Sequence, residues 1–126
     1  MELLDTDVLI DIQRDHPPAR AWFSSLLTIP SICGFSGMEL LQFSRDHRER
    51  DASLRFLEEF EIVWPLTYDL SRAANQFASL HLSHGLGLLD SLIAATAVGN
   101  DATLFTFNTK HFKSVPDLTL SEPYVR

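Results

Sequence analysis

Short apolar runs alternate along this chain with segments of helical periodicity, and this alternation limits the possible fold more than any other feature. The runs that predict strands cover residues 3–5, 29–33, 62–64 and 103–106, with a last edge strand at 118–120. Strands separated by helices pair in parallel through right-handed crossovers. The sequence therefore predicts the α/β fold class, with a central parallel sheet of four or five strands and helices on both faces.

The helical segments differ in how much of their surface they must bury. Residues 88–98 are almost wholly apolar, which predicts a buried helix, and residues 69–82 predict one long amphipathic helix with a stripe of Leu70, Ala73, Phe77 and Leu80. Residues 45–51 are nearly all charged and are expected to be solvated. The tryptophans Trp22 and Trp64 are expected in the core.

Length and charge exclude several classes of protein. The 126 residues contain no linker or repeat and predict one domain, 1–126. A net charge of −7 argues against non-specific electrostatic binding of nucleic acid by the protein as a whole. The single cysteine, Cys33, excludes an internal disulfide and a cysteine-based zinc site. With no signal peptide or membrane span expected, we predict a cytoplasmic protein with no membrane partner.

Four polar residues lie where predicted elements begin or end. Asp5 closes the first strand, Glu39 falls in the first turn of a helix starting near Ser36, Asp90 opens the apolar helix, and Asn108 follows the fourth strand. Since the carboxyl ends of parallel strands share one edge, these residues are expected in one cleft. Clustered carboxylates need a cation, and oxygen ligands select Mg²⁺ or Mn²⁺. The expected chemistry is metal-assisted phosphodiester hydrolysis.

Each of these residues also has a local structural interpretation. Asp7 is expected to cap the first helix, and Ser36 with Glu39 fits a capping box. Asp90 suits a helix start, and Asn108 suits a turn or an N-cap. Elsewhere, the pair His81 and His84 has the spacing of metal ligands but lacks partners, and the basic residues Arg45, Arg48, Arg50 and Arg55 form either a solvated face or an RNA-binding strip.

Three segments resemble the motifs of a known family. Residues 3–11, LLDTDVLID, resemble the opening motif of PIN domains, and in particular of the VapC-type toxins of toxin–antitoxin modules. Residues 88–97, LLDSLIAATA, resemble the central motif, and residues 104–112, LFTFNTKHF, resemble the last one. Glu39 stands where that family carries its second acid. The resemblance runs in order from the first strand to Phe112.

The resemblance implies a PIN-like fold and an Mg²⁺- or Mn²⁺-dependent endoribonuclease that acts as a toxin. It implies catalytic roles for Asp5, Glu39, Asp90 and Asn108, with metal held by the three acids. The implied partners are RNA, a cognate VapB-type antitoxin, and a second copy of the chain in a homodimer or a toxin–antitoxin hetero-oligomer. Two positions depart from the family pattern: Asn108 is often Asp, and Phe107 replaces a residue that is often Arg or polar.

Two alternatives stay open from the sequence. Asn108 and Phe107 permit a PIN-like module that binds RNA or protein without cleaving. The opening segment also resembles the first motif of haloacid-dehalogenase-type phosphohydrolases, in which Asp5 would be a nucleophile. That family needs a later lysine and an acidic Gly-Asp segment, for which the chain offers only Lys110 and residues 99–101.

Overall fold

The computed structural model describes residues 1–126 and contains one five-stranded sheet in the order β3-β2-β1-β4-β5. The strands are β1 (Glu2–Leu4), β2 (Ser31–Cys33), β3 (Ile62–Val63), β4 (Thr103–Phe105) and β5 (Thr119–Ser121). All four pairings are parallel, with Leu4 of the central strand in register with Ile32 and Phe105. The predicted fold class is therefore confirmed.

Eight α-helices connect the strands. They are α1 (Thr6–Gln13), α2 (Pro17–Ser25), α3 (Gly34–Gln42), α4 (His47–Leu57), α5 (Thr67–Arg72), α6 (Leu80–His84), α7 (Leu88–Gly99) and α8 (Thr109–Phe112). Side chains alternate between the two faces of a strand, so Leu3 packs into a core with α7, and Leu4 packs into a second core with α1. The helices thus cover both faces, and none is long and apolar enough to cross a membrane.

The helix predicted over residues 69–82 is interrupted. A π-helical turn, Ala73–Phe77, separates α5 from α6, and its extra residue is marked by the Ala78 amide donating to the Ala73 carbonyl at 2.8 Å. Ala73 and Phe77 are buried as predicted, but Leu70 is exposed. The predicted stripe therefore fails at Leu70, which precedes the π turn, whereas Leu80, which follows the turn, is partly buried against the same core as Ala73 and Phe77.

Helix α3 begins earlier than the sequence suggested. It starts at Gly34, directly after β2, and its N-cap is Cys33 without a side-chain hydrogen bond. Ser36 therefore lies inside the helix, where its buried hydroxyl has no partner, and Glu39 lies in the second turn. The predicted capping box was wrong, and the Glu39 carboxylate has no capping role.

Two further expectations need correction. Helix α1 is capped by Asp5, whose Oδ1 accepts from the Thr6 amide at 2.8 Å, and not by Asp7. Trp64 is 53% exposed and lies against Phe35 with ring centroids 5.6 Å apart, so it borders the core and is not buried in it. The charged segment 45–51 is largely exposed as expected, but its second half already belongs to α4, which Asp46 caps.

Candidate functional site

The carboxyl edge of the sheet opens into a pocket of about 300 Å³ that contains all four predicted site residues. Its lining is mostly polar and comprises Asp5, Thr6, Asp7, Ile10, Glu39, Phe43, Asp90 and Asn108. Four of the eight are acids, and no lysine, arginine or histidine belongs to the lining. The topology thus concentrates negative charge where the central strand ends.

Asp5 lies deepest, with 5% of its surface exposed. Its Oδ1 accepts from the Thr6 amide, and its Oδ2 accepts from the Thr106 hydroxyl at 2.7 Å. Burial, followed by the negative charge of Asp7, raises the pKa of Asp5 from 3.8 to about 7, although both hydrogen bonds oppose the rise. An aspartate in this environment is stabilised by a cation.

Asp7 connects α1 to the segment after β4. Its Oδ2 accepts from the Phe107 amide at 2.8 Å, while its Oδ1 accepts from the Val8 amide. Burial raises the pKa of Asp7, and the two amide hydrogen bonds limit the rise. The sequence assigned Asp7 a capping role, but its main contact lies 100 residues further along the chain.

Glu39 and Asp90 enter the pocket from α3 and α7. Asp90 is the third residue of α7, and its Oδ2 accepts from the Gly87 amide at 3.4 Å, so the expected helix-start role is also present. Burial raises the pKa of Asp90 most, and the charge of Glu39 raises it further, whereas His111 opposes the rise. The two carboxylates therefore repel each other across the pocket.

Asn108 occupies the N-cap position of α8, but its side chain makes no capping hydrogen bond. Its backbone amide donates to the Thr106 hydroxyl at 2.9 Å. The same hydroxyl donates to Asp5, so Thr106 links the backbone of Asn108 to the buried acid. The side-chain amide of Asn108 can therefore form hydrogen bonds with a ligand in the pocket.

The donor chemistry of the pocket fits a hard divalent cation. All of its polar side-chain atoms except the Asn108 amide nitrogen are oxygens, which Mg²⁺ and Mn²⁺ prefer. The Thr6 hydroxyl is buried and has no partner in the protein, and such groups nearly always bind something. A hydrated ion in the pocket would supply a hydrogen-bond partner for Thr6 and offset the carboxylate charge.

No three His, Cys, Asp or Glu side chains lie close enough together to hold one ion as they stand. Carboxylates at this spacing fit a partly hydrated Mg²⁺ better than an ion whose ligands all come from the protein. Mg²⁺ is usually held by one or two carboxylates and keeps several waters. Asp5 with Asp90, or Glu39 with Asp90, would suffice for such a site. The other acids would then contact its water shell.

Several candidates remain outside the pocket. His81 and His84 are exposed on the short α6, and Lys110 is exposed on α8. Residues 99–101 lie at the C-terminal end of α7, just before β4, and so at the opposite edge of the sheet from Asp5. The lysine and acids that a dehalogenase-type site requires are therefore not gathered around Asp5.

The sequence reading missed Thr106, Thr6 and Phe43 as site residues. Thr106 could have been recognised because it directly follows the fourth strand, two residues before Asn108, on the edge where the acids were expected. The sequence did not mark Phe43 as a pocket residue, since an aromatic residue near the end of a helix is usually assigned to the core. It is in fact 59% exposed at the rim of the pocket.

Comparison with known proteins yields consistent matches. The family model for the PIN domain matches residues 3–118. Ribonuclease VapC19 of Mycobacterium tuberculosis is 36% identical over 123 residues, covering 94% of this chain and 97% of that protein. The structure is similar to VapBC2 from Rickettsia felis bound to a DNA fragment from their promoter, with a TM-score of 0.77, 28% identity and coverage of 95% and 96%. It is equally similar to a toxin–antitoxin complex from Klebsiella pneumoniae, with a TM-score of 0.77, 25% identity and full coverage of both chains.

Proposed function

Since the chain belongs to the PIN domain family as a VapC-type toxin, we propose that it is an endoribonuclease dependent on Mg²⁺ or Mn²⁺ and inhibited by a cognate VapB-type antitoxin. The ribonuclease activity named for its relatives supports the first part of this proposal. The metal dependence rests on the pocket itself. Of the three acids Asp5, Glu39 and Asp90, two would hold the ion directly and the third would contact its water shell, and Asn108 would orient substrate or water.

One observation supports this function most strongly. Acids from the end of β1, from α3 and from α7 converge on one pocket whose lining contains no basic side chain. Such an arrangement destabilises a fold unless it is matched by a ligand of opposite charge, which is typical of a functional site. RNA is itself an anion, so a divalent cation is needed for it to approach these carboxylates.

The residues of the pocket have separable roles in the proposed reaction. A bound divalent ion supplies Lewis acidity toward a phosphodiester and lowers the pKa of water. Asp5 is held rigidly by Thr6 and Thr106, so its carboxylate is oriented before any ligand arrives. Glu39 has no capping bond and can accept a proton at its carboxylate. The Asn108 amide nitrogen can donate to a phosphate oxygen.

The direct test is cleavage of structured RNAs by the purified protein with Mg²⁺ or Mn²⁺, with EDTA as a parallel condition. We expect Asp5→Asn, Asp90→Asn and Glu39→Gln to lose at least about a hundredfold in rate, as expected when an electrostatic contact to the reacting centre is removed. Glu59→Gln, an exposed glutamate between α4 and β3, is the matched control and should cleave normally. Activity that survives EDTA, or both aspartate substitutions, would overturn the metal-dependent mechanism.

An adjoining groove supports the proposed antitoxin partner. The groove has a volume of about 520 Å³, runs between α1, α3 and α4, and shares Ile10 and Phe43 with the acidic pocket. Its apolar lining includes the buried Leu40 and the exposed Ala52, and Arg14, Arg45 and Glu49 add charged side chains. An amphipathic segment lying in the groove could extend a basic side chain into the pocket. The net charge of −7 favours such a partner.

Cation binding separates this proposal from a binding-only module. Calorimetric titration with Mn²⁺ should show binding to the wild-type protein and much weaker binding to Asp90→Asn. Absence of Mn²⁺ binding to the wild type would favour a module that binds RNA or protein without cleaving. The oligomeric state, for which we propose a homodimer or a hetero-oligomer with the antitoxin, is measured by light scattering on the same samples.

A further inference from the structure

Residues near the end of the chain form a polar cluster with α1, outside the lining of the acidic pocket. We call it the Asp11 clasp and define it as Asp11, Tyr124 and Arg126. The Arg126 guanidinium donates to both oxygens of Asp11, at 3.0 Å each, and the Tyr124 hydroxyl donates to Asp11 Oδ2 at 2.9 Å. Only 11% of the Asp11 side chain is exposed. A bidentate arginine–carboxylate pair that also accepts a hydrogen bond from the tyrosine hydroxyl has a single defined geometry.

The clasp packs directly on Phe107. The Arg126 guanidinium carbon lies 5.0 Å from the centroid of the Phe107 ring, and the Tyr124 ring meets the same ring edge-on at 4.9 Å. Trp22 supports Tyr124 from behind, with ring centroids 5.8 Å apart. The Phe107 ring is thus held between a cation and another aromatic ring.

The backbone of Phe107 is held on its other side by the pocket. Its amide donates to Asp7 at 2.8 Å, and the neighbouring amide of Asn108 donates to Thr106. The segment 106–108 is therefore fixed from the pocket through its backbone and from the clasp through the Phe107 ring. The Asn108 side chain has no capping bond of its own, so its position depends on that backbone.

We propose that Arg126, which Asp11 holds in place, is a positioning residue for Asn108 and acts through the ring of Phe107. It fixes the Phe107 ring, which keeps the Phe107 amide on Asp7 and presents the Asn108 side chain to the pocket. This inference rests on the proposed function for its catalytic consequence, but the positioning itself is a property of the protein alone. Phe107 and Arg126 together would hold the backbone of residues 106–108 in place beside the pocket.

The chain offers a matched control for a merely stabilising contact. Arg72 makes the same two kinds of contact far from the pocket: an ion pair with Asp117 at 3.0 Å and a position 5.3 Å from the centroid of the Phe77 ring. Arg126→Met and Arg72→Met each remove an ion pair and a cation–aromatic contact. The proposal requires that Arg126→Met alters the position of the Asn108 side chain and that Arg72→Met does not.

The experiment measures amide hydrogen exchange at Phe107 by NMR, together with kcat and KM for RNA cleavage, in both variants. For Arg126→Met we expect exchange at Phe107 to accelerate about tenfold and kcat to fall about tenfold or more, with KM changed less than about threefold, because supporting residues act on the placement of a reactive group. Arg72→Met should leave both quantities at wild-type values. Equal behaviour of the two variants would overturn the proposal.

A milder variant and a second readout keep the test independent of folding and of the assigned reaction. Tyr124→Phe keeps the ring and removes only the hydroxyl bond to Asp11, so it should accelerate Phe107 exchange by about threefold. Mn²⁺ added as a paramagnetic probe should broaden the Asn108 side-chain signal less in Arg126→Met than in the wild type. If the wild type cleaves no RNA, the proposed function fails, and the exchange rates still decide the positioning role. Unchanged exchange in both Arg126→Met and Tyr124→Phe overturns it.

Discussion

Thr106 donates its hydroxyl hydrogen to Asp5 at 2.7 Å, although 101 positions separate the two residues. This bond lowers the pKa of Asp5 against the larger effects of burial and of Asp7. Thr106→Val keeps the shape and removes the donor, so the pKa of Asp5 should rise above about 7. We expect the pH at which Mn²⁺ binding is half-maximal to move up by about one unit. Calorimetry at several pH values measures this shift.

The control for that substitution is Thr96→Val. Thr96 is equally buried and bonds to the Leu92 carbonyl and the Cys33 sulfur, away from the pocket lining. It should lose some stability but leave the pH dependence of Mn²⁺ binding unchanged. A shift of the same size in both variants would mean that Thr106 has no special relation to Asp5.

The raised pKa of Asp5 predicts how stability changes with pH in the absence of metal. The folded value of about 7 exceeds the ordinary 3.8, so the folded protein binds more protons than the unfolded chain between these values. The free energy of unfolding should therefore fall as the pH rises from about 4 to 7, by on the order of 4 kcal/mol from this group. Urea unfolding in EDTA at several pH values provides the measurement.

Asp5→Asn removes the charge that causes this loss. We expect the variant to be more stable than the wild type by about 2 to 4 kcal/mol at pH 8 and to gain little near pH 4, because the wild-type group is then protonated. Asp51→Asn, on the exposed face of α4, is the control and should show no such pattern. A wild-type protein that grows more stable between pH 5 and 7 would contradict the raised pKa.

Divalent metal should restore the stability that the clustered acids remove. A ligand that binds only the folded state stabilises it by about 2.7 kcal/mol at one hundred times its Kd. We expect Mn²⁺ to raise the Tm of the wild type and to have a much smaller effect on Asp90→Asn and Glu39→Gln. Glu59→Gln should respond as the wild type does. An equal rise in all four proteins would place the binding outside the pocket.

Two glycines in helices should respond in opposite ways to alanine. A Cβ on Gly37 would make ordinary contacts with Ile32 and Leu57 at 3.6 Å, so Gly37→Ala should stabilise by about 0.5 to 1 kcal/mol. A Cβ on Gly99 would overlap the carboxylate of Asp69, which caps α5 through the Leu66 amide. Gly99→Ala should therefore destabilise by about 1 to 3 kcal/mol. Thermal unfolding of Gly99→Ala tests the packing of α7 against α5, and that of Gly37→Ala tests the space between α3, β2 and α4.

Phe43 is expected to contribute most to antitoxin binding at the groove, because exposed aromatic side chains that become buried dominate interface energies. Phe43→Ala should weaken binding of the cognate antitoxin by at least about tenfold. Leu82→Ala, also highly exposed but on α6 and outside the groove, is the control. Wild-type affinity of Phe43→Ala, measured by surface plasmon resonance, would place the partner elsewhere.

The sequence could predict the fold and the gathering of the four site residues, because both follow from the order of strands and helices. Asp5, Glu39, Asp90 and Asn108 each lie near the end of a strand or the start of a helix, and a parallel sheet brings such positions to one edge. That inference used the alternation of apolar runs, the polar residues at the ends of the predicted elements and the resemblance to PIN domains. Their roles in metal binding and catalysis stay predictions.

The local hydrogen bonds were less accessible to prediction. Spacing alone predicted capping roles for Ser36 and Asp7, but α3 follows β2 without a turn, and Asp5 already caps α1. The π turn after α5 depends on packing against α7, which no short sequence pattern encodes. The partners of Asp11 are 113 and 115 residues away, so only the folded chain reveals the clasp.

The pairing of β1 with β4 has a consequence for the protein's own synthesis. The pocket needs Asp5 from one end of the chain and Thr106 and Asn108 from the other, and contacts between distant segments form only after the intervening chain is available. A nascent polypeptide therefore carries no assembled acidic centre until its final strands have left the ribosome. On the proposed function, this toxin cannot attack the RNA around it until both of these segments have been synthesised.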